Sequence, residues 1–557
     1  HLTFSGAGTL QPPSALTVGG NLTCQAGAGT FDAATSDPAV SVTGNVVQDN
    51  VTVSLGDGAW TIAGDFDCAG VTTLNRNAST VTMTGTTTTL TAPSWASFYY
   101  LAFSGETRIA DFITCDRLTV SGTCDIDFGI HAADVRVAAA ADITGSGELG
   151  LFWGATITQM AGVIDCARLL IVNDHDQNIP PGRYDSALVR IYNSVGANLT
   201  FRPQAGTYTF GGNVEIFNTG NADYLIDNAT NDADYVFEGS LTLSNTGGGT
   251  LTWTKGDGTL TFSGAGAGTQ SLGFLGSNVE ALVIDDAGAV KQLTGSAVTC
   301  AGLTVTDGTF SLNGQNVTLS AGTVINDGEI HLRGDETLTG ITNLDTDSGT
   351  VAYVGRNLTE TLAIKDFGAS DYHHLTIADS GGGTTFALGA ALGLAGDCTI
   401  TGGELSAGTH AITLTGDWDN QVGATGFTCG TGLVTLSGAD QELSGSTTFY
   451  ALTKTVATAR TLTFAAGSRQ TVLNALILQG AGGNLLSLRS STPGTQWLID
   501  PQLTRTCSSL DVRDGYNLRG PSINPSGSLN SGNNAGWFGR AAGRAQGGAG
   551  SGYPPMY

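Results

Sequence analysis

Residues 394–415 read Leu-Ala-Gly-Asp-Cys-Thr-Ile-Thr-Gly-Gly-Glu-Leu-Ser-Ala-Gly-Thr-His-Ala-Ile-Thr-Leu-Thr. Three short runs within this stretch, 394–400, 402–405 and 411–415, alternate apolar with polar residues and are separated by turn-forming residues. A period of two predicts β-strands, and turn formers at intervals of about eight to twelve residues leave no room for a helix. The stretch therefore predicts an all-β chain built from very short strands.

A related strand recurs along the chain and usually ends in Ser-Gly or a similar pair. It is found as Leu2-Thr3-Phe4-Ser5-Gly6, Val81-Thr82-Met83-Thr84-Gly85, Leu260-Thr261-Phe262-Ser263-Gly264, Val351-Ala352-Tyr353-Val354-Gly355 and Val434-Thr435-Leu436-Ser437-Gly438. A second strand accompanies it, and its leucine lies at Leu16, Leu101, Leu188, Leu282, Leu375 and Leu452. The gaps between these leucines run from 77 (452 − 375) to 94 (282 − 188) residues, a loose period of about ninety. One strand pair uses far less chain than this, so each period must contain several smaller turns.

These strands predict a parallel β-helix (β-solenoid) rod with a C-terminal cap. Successive coils of such a fold pair in register, and no single coil can bury its own core. With about 20 to 25 residues per coil, the body would contain about two dozen coils. The alternative is a series of tandem β-sandwich modules, one per period. A sandwich would usually have longer strands and stronger aromatic anchors, so the sequence favours the solenoid.

The sequence divides into three predicted regions. Residues 1–440 form the repetitive body, and residues 441–538 contain larger side chains and more Arg, as expected of final coils and a cap that closes the core against water. Residues 539–557 are rich in Gly and Arg, which predicts a flexible tail.

The charge is distributed unevenly. Residues 1–442 carry 13 Lys+Arg and 45 Asp+Glu (net −32), whereas residues 443–557 carry 9 and 3 (net +6), which together give −26. An acidic body disfavours nucleic acid and anionic lipid as partners. No run of about twenty apolar residues occurs, so no membrane insertion is expected. The basic end could instead meet the acidic side of a second molecule, and self-association or a surface scaffold protein is the expected partner.

Nine cysteines occur without a Cys-x-x-Cys motif. This number is odd, and the spacing fits neither a zinc site nor a redox motif. We expect most of them to be small buried hydrophobic residues at similar coil positions, with disulfides between adjacent coils left open.

Part of the chain resembles a known group of proteins. The residues that carry the resemblance are Leu394-Ala-Gly-Asp-Cys-Thr-Ile400, Ile412-Thr-Leu-Thr-Gly-Asp-Trp418, Phe449-Tyr-Ala-Leu-Thr-Lys454, Thr461-Leu-Thr-Phe464, Gly483-Asn-Leu-Leu-Ser-Leu-Arg489, Pro493-Gly-Thr-Gln-Trp497 and Ser531-Gly-Asn-Asn-Ala-Gly-Trp537. Over residues 350–538 the sequence is similar to large repetitive bacterial extracellular surface proteins, which are adhesin-like, and to some phage-borne relatives. The resemblance implies an extracellular structural or adhesive role and brings no catalytic residues.

Six Asp-x-Asp pairs are the strongest candidates for chemistry. They are Asp65/Asp67, Asp125/Asp127, Asp174/Asp176, Asp232/Asp234, Asp345/Asp347 and Asp417/Asp419. Two carboxylates on one face of a strand, about 7 Å apart, suit a calcium ion or a glycosidase-like acid and base. Because the pairs are dispersed, they indicate a structural trait more than one active site. Asp174 and Asp176 are the best calcium ligands to propose, since Asn173 and His175 make their loop polar; no other cofactor is expected.

Two further motifs have simpler interpretations. His373-His374 occupies the position where Phe98-Tyr99-Tyr100 and Phe449-Tyr450 stand in other repeats, so a packing role is favoured over a metal site. Arg333-Gly334-Asp335 could mimic an integrin ligand, but a turn between two strands explains it better.

Taken together, the sequence predicts a non-enzymatic structural or adhesive protein outside the cell. It would build or decorate a bacterial surface, a filament or a virion. The alternative is a phage tail-fibre or spike protein that binds or depolymerises polysaccharide, with a lyase or hydrolase as the enzymatic form of that alternative and glycans as its partner.

Overall fold

The computed structural model describes residues 1–25, 27, 29–152, 154–173, 179–264, 268–368 and 370–539. Within these residues the chain is all-β, and its paired strands run parallel and stack in about 25 turns. The prediction of a parallel β-helix is confirmed, and the alternative of tandem β-sandwiches is wrong, because a sandwich requires antiparallel strands. None of the described residues form a helix long and apolar enough to cross a membrane.

The chain divides into two compact units, each of which is a solenoid. Unit 1 comprises residues 1–325 and 337–341, and unit 2 comprises residues 326–336 and 342–557. The strand Val324–Asn326 contains the division between them.

Unit 1 contains strands of three sheets. The largest sheet includes Leu2–Ser5, Ala15–Val18, Leu22–Gln25, Ala39–Val42, Val46–Asp49, Ala59–Ile62, Phe66–Gly70, Thr80–Met83, Thr88–Thr91, Ala96–Phe103, Glu106–Ile109, Phe112–Val120, Thr123–Ile126, Gly129–Val137, Asp142–Leu151, Thr156–Met160, Val163–Asn173, Gly182–Tyr184, Leu188–Asn193, Thr207–Phe210, Asn213–Asn218, Asp234–Phe237, Leu241–Asn245, Thr259–Phe262, Gly268–Gly273, Ala281–Leu293 and Leu303–Ser311. A second sheet has Thr9–Leu10, Thr30–Asp32, Thr52–Ser54 and Thr73–Asn75. The third has Leu199–Phe201, Tyr224–Asp227, Leu251–Thr254, Asn278–Val279, Val298–Cys300, Val317–Leu319 and Leu338–Thr339.

Unit 2 is built in the same way. Its first sheet includes Glu329–Leu332, Thr350–Tyr353, His374–Ala378, Cys398–Gly402, Trp418–Asn420, Gln441–Ser444, Arg460–Phe464, Leu486–Ser490, Leu510–Val512 and Leu529–Asn530. A second sheet has Glu360–Ala363, Thr384–Ala387, Glu404–Ser406 and Phe427–Thr428. The third has Leu392–Leu394, Ile412–Leu414, Leu433–Leu436, Thr447–Thr455, Arg469–Gln479, Trp497–Pro501, Thr504–Ser508 and Gly515–Asn517.

The recurring strand of the sequence and its second strand are consecutive turns stacked in register. Val81 pairs with Leu101, and Leu260 pairs with Leu282. The register also gives the length of a turn, which varies from 17 residues (Arg117 to Asp134) to 31 residues (Leu241 to Leu272). The loose spacing in the sequence follows from this variation, because the repeating unit is the single turn.

The recurring strand ends in glycine for a steric reason. A Cβ atom on Gly105 would lie 1.8 Å from the carbonyl oxygen of Gly85, one turn earlier, and a Cβ on Gly122 would lie 2.3 Å from that of Gly105. The same holds in unit 2, where a Cβ on Gly438 would lie 1.8 Å from the carbonyl oxygen of Thr415. Stacked turns approach too closely at this corner for any side chain.

Alternation places one set of side chains in the core. In unit 1, aromatic rings repeat at the same inward position of consecutive turns, so that Phe210, Phe237 and Phe262 form a stack with centroid spacings of 5.5 and 5.2 Å. Tyr208 and Tyr235 form a parallel stack at 5.5 Å. These spacings are those of favourable offset aromatic pairs, each of which contributes about 0.5–1.5 kcal/mol beyond burial.

The core of unit 2 ends in tryptophan. Phe464 and Trp497 stack at 3.9 Å with their planes only 5° apart, and Trp537 packs on Trp497 at 5.5 Å. Both tryptophans are fully buried. Trp537 therefore covers the core residue Trp497 near the end of the described chain. The tail residues 540–557 lie outside the described residues.

The cysteines behave as small apolar side chains. All nine are free, and eight of them are buried. Burial raises the pKa of Cys24 to about 11 and that of Cys300 to about 12, so these thiols stay protonated and unreactive. The expectation of small buried hydrophobic residues is confirmed.

Candidate functional site

Many Asp and Asn side chains at the corners bind the backbone of the next turn. Oδ1 of Asn21 accepts the N–H of Asn45 at 3.1 Å, Oδ1 of Asn45 accepts that of Asp65 at 3.0 Å, and Oδ1 of Asp65 accepts that of Thr89 at 2.9 Å. Unit 2 contains the same kind of hydrogen bond. Asp397 accepts the N–H of Asp417, and Asp417 in turn accepts the N–H of Glu442. These side chains satisfy backbone donors that the corners would otherwise leave unpaired.

Members of four of the described Asp-x-Asp pairs, Asp65, Asp232, Asp234, Asp345 and Asp417, are used in this structural way. Asp232 and Asp234 accept the N–H groups of Asp257 and Thr259 at 2.8 Å, and Asp345 accepts that of Asn326 at 2.9 Å. No group of three or more His, Cys, Asp or Glu side chains that could hold a metal occurs among the described residues.

The proposed calcium ligands Asp174 and Asp176 lie outside the described residues, so that prediction stays a prediction.

The two simpler motifs also have structural contacts. Nδ1 of His374 accepts the N–H of Asp397 at 2.9 Å, and burial lowers the pKa of His374, which favours the neutral ring that this bond requires. In the Arg-Gly-Asp segment, Glu336 accepts the N–H groups of Arg333 and Gly334 at 2.7 and 2.8 Å, which fixes a turn. Asp335 is paired with Arg356 at 3.1 Å.

Buried ionisable groups are likewise held by the fold. Glu280 is fully buried and accepts hydrogen bonds from Asn228 at 2.7 Å, from the Trp253 indole at 2.9 Å and from the N–H of Gly256 at 2.7 Å. Lys454 is also fully buried and donates to the carbonyls of Gly438 and Ala439 and to Gln441. Such satisfied groups stabilise corners and are not available to a substrate.

One outward surface of unit 1 carries a cluster of aromatic rings. Trp95 is 64% exposed, has φ of +66° and packs on Phe112 with a centroid distance of 4.2 Å. The His131 ring lies 4.5 Å from Phe112 and 4.2 Å from Phe152. A positive φ in a bulky residue is strained, and such strain is concentrated at functional sites.

Beside these rings is a cleft of about 260 Å³. Its lining includes Ser97, Thr114, His131 and the ion pair formed by Arg76 and Asp116. Both ring nitrogens of His131 lack a hydrogen-bond partner among the described residues, and its Nε2 atom is 3.5 Å from Glu148. Together, the rings and this lining are called the Trp95 cleft; it combines exposed aromatic surface with unsatisfied polar groups.

A second outward surface of unit 1 is formed by Glu215, Phe217, Thr219, Thr242, Ser244 and Thr246. These six residues line a cavity of about 330 Å³, which we call the Phe217 ledge. Phe217 stacks on Tyr192 of the preceding turn, with ring centroids 5.1 Å apart and planes 9° apart. Both rings are half-buried on the outside of the solenoid. An outward stack of this kind does not pack in the core, and its exposed surface is accessible to a ligand.

Sequence reasoning missed both surfaces. Trp95, Phe112 and His131 come from different turns and share no sequence motif, and neither do Tyr192 and Phe217. Outward aromatic residues at alternating positions were the only signal, and the sequence alone could not show which of them meet.

Comparison with known proteins gives no relative. No protein-family model, curated protein or solved structure matches this chain. The class that the fold defines is the β-solenoid, and functional arguments rest on the residues themselves.

Proposed function

We propose that this protein is a non-enzymatic extracellular β-solenoid with a structural or adhesive role on a bacterial surface, a filament or a virion. The observation that supports this proposal is the use of the corner carboxylates and amides in bonds between turns. Several carboxylates that could have formed an active site bind a neighbouring turn instead, and the described Asp-x-Asp pairs are distributed over different turns.

The adhesive part of the proposal is supported by the Trp95 cleft. Apolar ring surface is exposed to water there, which is unfavourable in free energy, and the cleft also contains the charged side chains of Arg76 and Asp116. Exposed aromatic residues with polar neighbours are enriched where proteins bind partners. A purely structural rod would have no need of this exposed surface.

Location is tested by labelling intact cells, or intact virions, with an antibody against the purified chain, before and after protease treatment. Labelling of intact particles that protease removes is the expected result. Labelling only after lysis would contradict an extracellular role.

A second candidate function is a phage fibre that binds or depolymerises polysaccharide. The His131 ring favours it, because its centroid lies 6.0 Å from that of the exposed Trp95 ring and its Nε2 atom lies 3.5 Å from the Glu148 carboxylate. A carboxylate close to a cluster of aromatic rings suits a sugar substrate. The full chain is incubated with acidic and neutral polysaccharides, and reducing ends are measured. Release that is lost in Glu148→Gln would favour the enzymatic alternative, whereas binding without release would favour the adhesive role.

A further inference from the structure

We propose that the Phe217 ledge is a binding site for one neutral pyranose ring, a ligand class that deepens the adhesive function proposed above and rests on it. The argument begins with the stacking register. Tyr192, Phe217 and Ser244 occupy the same outward position in three consecutive turns. The first two carry rings and the third carries a short hydroxyl side chain, so the stack lacks its next ring.

The missing ring leaves a space of suitable size. The cavity beside Phe217 has a volume of about 330 Å³, at the lower end of the range of about 300–1,000 Å³ for small-molecule sites. Thr242 faces Gly273 in the following turn, so no side chain fills the space from that position. A flat ring placed there would continue the stack of Tyr192 and Phe217.

The lining chemistry selects the occupant. Apart from Phe217, every lining residue carries an oxygen: Thr219, Thr242, Ser244 and Thr246 have hydroxyl groups, and Glu215 has a carboxylate. A pyranose has an apolar C–H face for the Phe217 ring and a rim of hydroxyls for these oxygens. An aromatic side chain from a protein partner would desolvate the same oxygens without giving them hydrogen bonds, which costs free energy.

The charges favour a neutral sugar. Arg190 donates from Nε at 2.9 Å and from Nη2 at 2.6 Å, and both bonds end on Oε2 of Glu215. The Arg190 guanidinium also lies over the Phe217 ring, 5.3 Å from its centroid. The charge of Glu215 is thus already balanced by Arg190, while its Oε1 atom can accept a hydrogen bond from a sugar hydroxyl. An acidic sugar would in addition be repelled by a body with a strongly negative net charge.

The ledge is held rigid by asparagines that follow it. Nδ2 of Asn218 donates to the carbonyl of Ala222 at 2.9 Å and to that of Thr250 at 3.1 Å, and its Oδ1 accepts the N–H of Gly220. Asn193 and Asn245 occupy the same position in the neighbouring turns. Thr219 donates its hydroxyl to the carbonyl of Asn193 at 3.1 Å, so its rotamer is fixed. A preorganised site loses little entropy when a ligand binds.

The test uses the full chain and four probes: the methyl glycosides of glucose, galactose, mannose and rhamnose. Saturation-transfer NMR identifies which sugar binds and which of its protons contact the protein. We expect transfer to the C–H protons of one face of at least one sugar. Phe217→Ala should weaken binding about tenfold or more, because the apolar platform is lost.

The decisive variant is Ser244→Phe, which supplies the missing ring. It keeps the surface aromatic and follows the existing stack, so the fold should persist while binding is lost. Thr61→Phe is the matched control, because Thr61 is exposed on another strand of unit 1 and is flanked in register by Ser41 and Thr82. This control should bind as the wild type does.

Three outcomes would overturn the proposal: none of the four sugars binds, binding survives both Phe217→Ala and Ser244→Phe, or N-acetyltryptophanamide binds in place of the sugars. The last result would assign the ledge to an aromatic side chain of a partner. Surface labelling of intact particles tests the extracellular role separately, so failure of the sugar site and failure of the proposed function can be distinguished.

Discussion

Asn45 and Asp65 hold two successive turns together by a reciprocal pair of hydrogen bonds. The backbone N–H of Asp65 donates to Oδ1 of Asn45 at 3.0 Å, and Nδ2 of Asn45 donates to Oδ2 of Asp65 at 3.1 Å. The two residues are one turn apart at the same corner. Corners of this kind explain why an acidic chain can stack so many turns.

We expect Asn45→Ala to destabilise unit 1 by about 1–3 kcal/mol, because the N–H of Asp65 loses its acceptor at a partly buried corner. Urea unfolding of the purified chain measures the change. Thr23→Ala is the control, since Thr23 lies on an outward strand position of the same region, and it should change stability by about 0.5 kcal/mol or less. Equal effects of the two substitutions would show that the corner bond contributes nothing specific.

Gly105→Ala should destabilise the fold by more than about 2 kcal/mol, because the new Cβ would overlap the carbonyl oxygen of Gly85 and force backbone movement. Gly19→Ala is a matched control. A Cβ on Gly19 meets nothing within 4 Å. Thermal unfolding of both variants is the measurement, and a Gly105 variant as stable as the Gly19 variant would refute the close approach of the turns.

Trp537→Ala should expose the core face of Trp497 and cost about 3–5 kcal/mol in unit 2, as expected for loss of a fully buried tryptophan. Hydrogen exchange should accelerate first in the last turns, including Leu510–Val512 and Gly515–Asn517. Leu503→Ala is the control, because Leu503 is 68% exposed. Uniform acceleration of exchange over unit 2 would contradict a local role for the cap.

The buried Lys454 side chain leads us to predict that the free energy of unfolding rises with pH. Burial lowers the pKa of Lys454 to about 8. Between this pKa and the unfolded value of about 10.4, the unfolded chain binds the proton and the folded chain does not, so the free energy of unfolding rises with pH. We expect the stability difference between wild type and Lys454→Met to shift in favour of the wild type as pH increases through this range. A difference that is constant from pH 7 to 10 would contradict the lowered pKa.

The uneven charge predicts salt-sensitive self-association. Residues 1–442 carry a net charge of −32 and residues 443–557 carry +6, so contact between the basic end of one molecule and the acidic side of another should weaken as salt screens it. Sedimentation velocity at low and high salt measures association, and deletion of residues 540–557 should reduce it by removing two arginines. Association that neither change affects would exclude an electrostatic contact.

The part of this protein that could be predicted from sequence is local. Alternation in Val81–Met83 and in Leu260–Phe262 identifies strands and separates core from surface, because successive side chains of a strand point to opposite faces. The burial of the cysteines in the core was predicted from the same alternation. The role of Asp232 and Asp234 could be predicted only as a structural trait, since the donors that they accept from are backbone N–H groups on another turn.

The sequence by itself determined the fold class, the number of turns and which residues face the core, because these depend on the period of two and on turn formers. Only the tertiary structure decided which outward residues become neighbours. Turns vary between 17 and 31 residues, so no fixed spacing brings Tyr192 beside Phe217 or Trp95 beside Phe112. Register is set by the packing of the whole stack, and the binding surfaces exist only after that register is fixed.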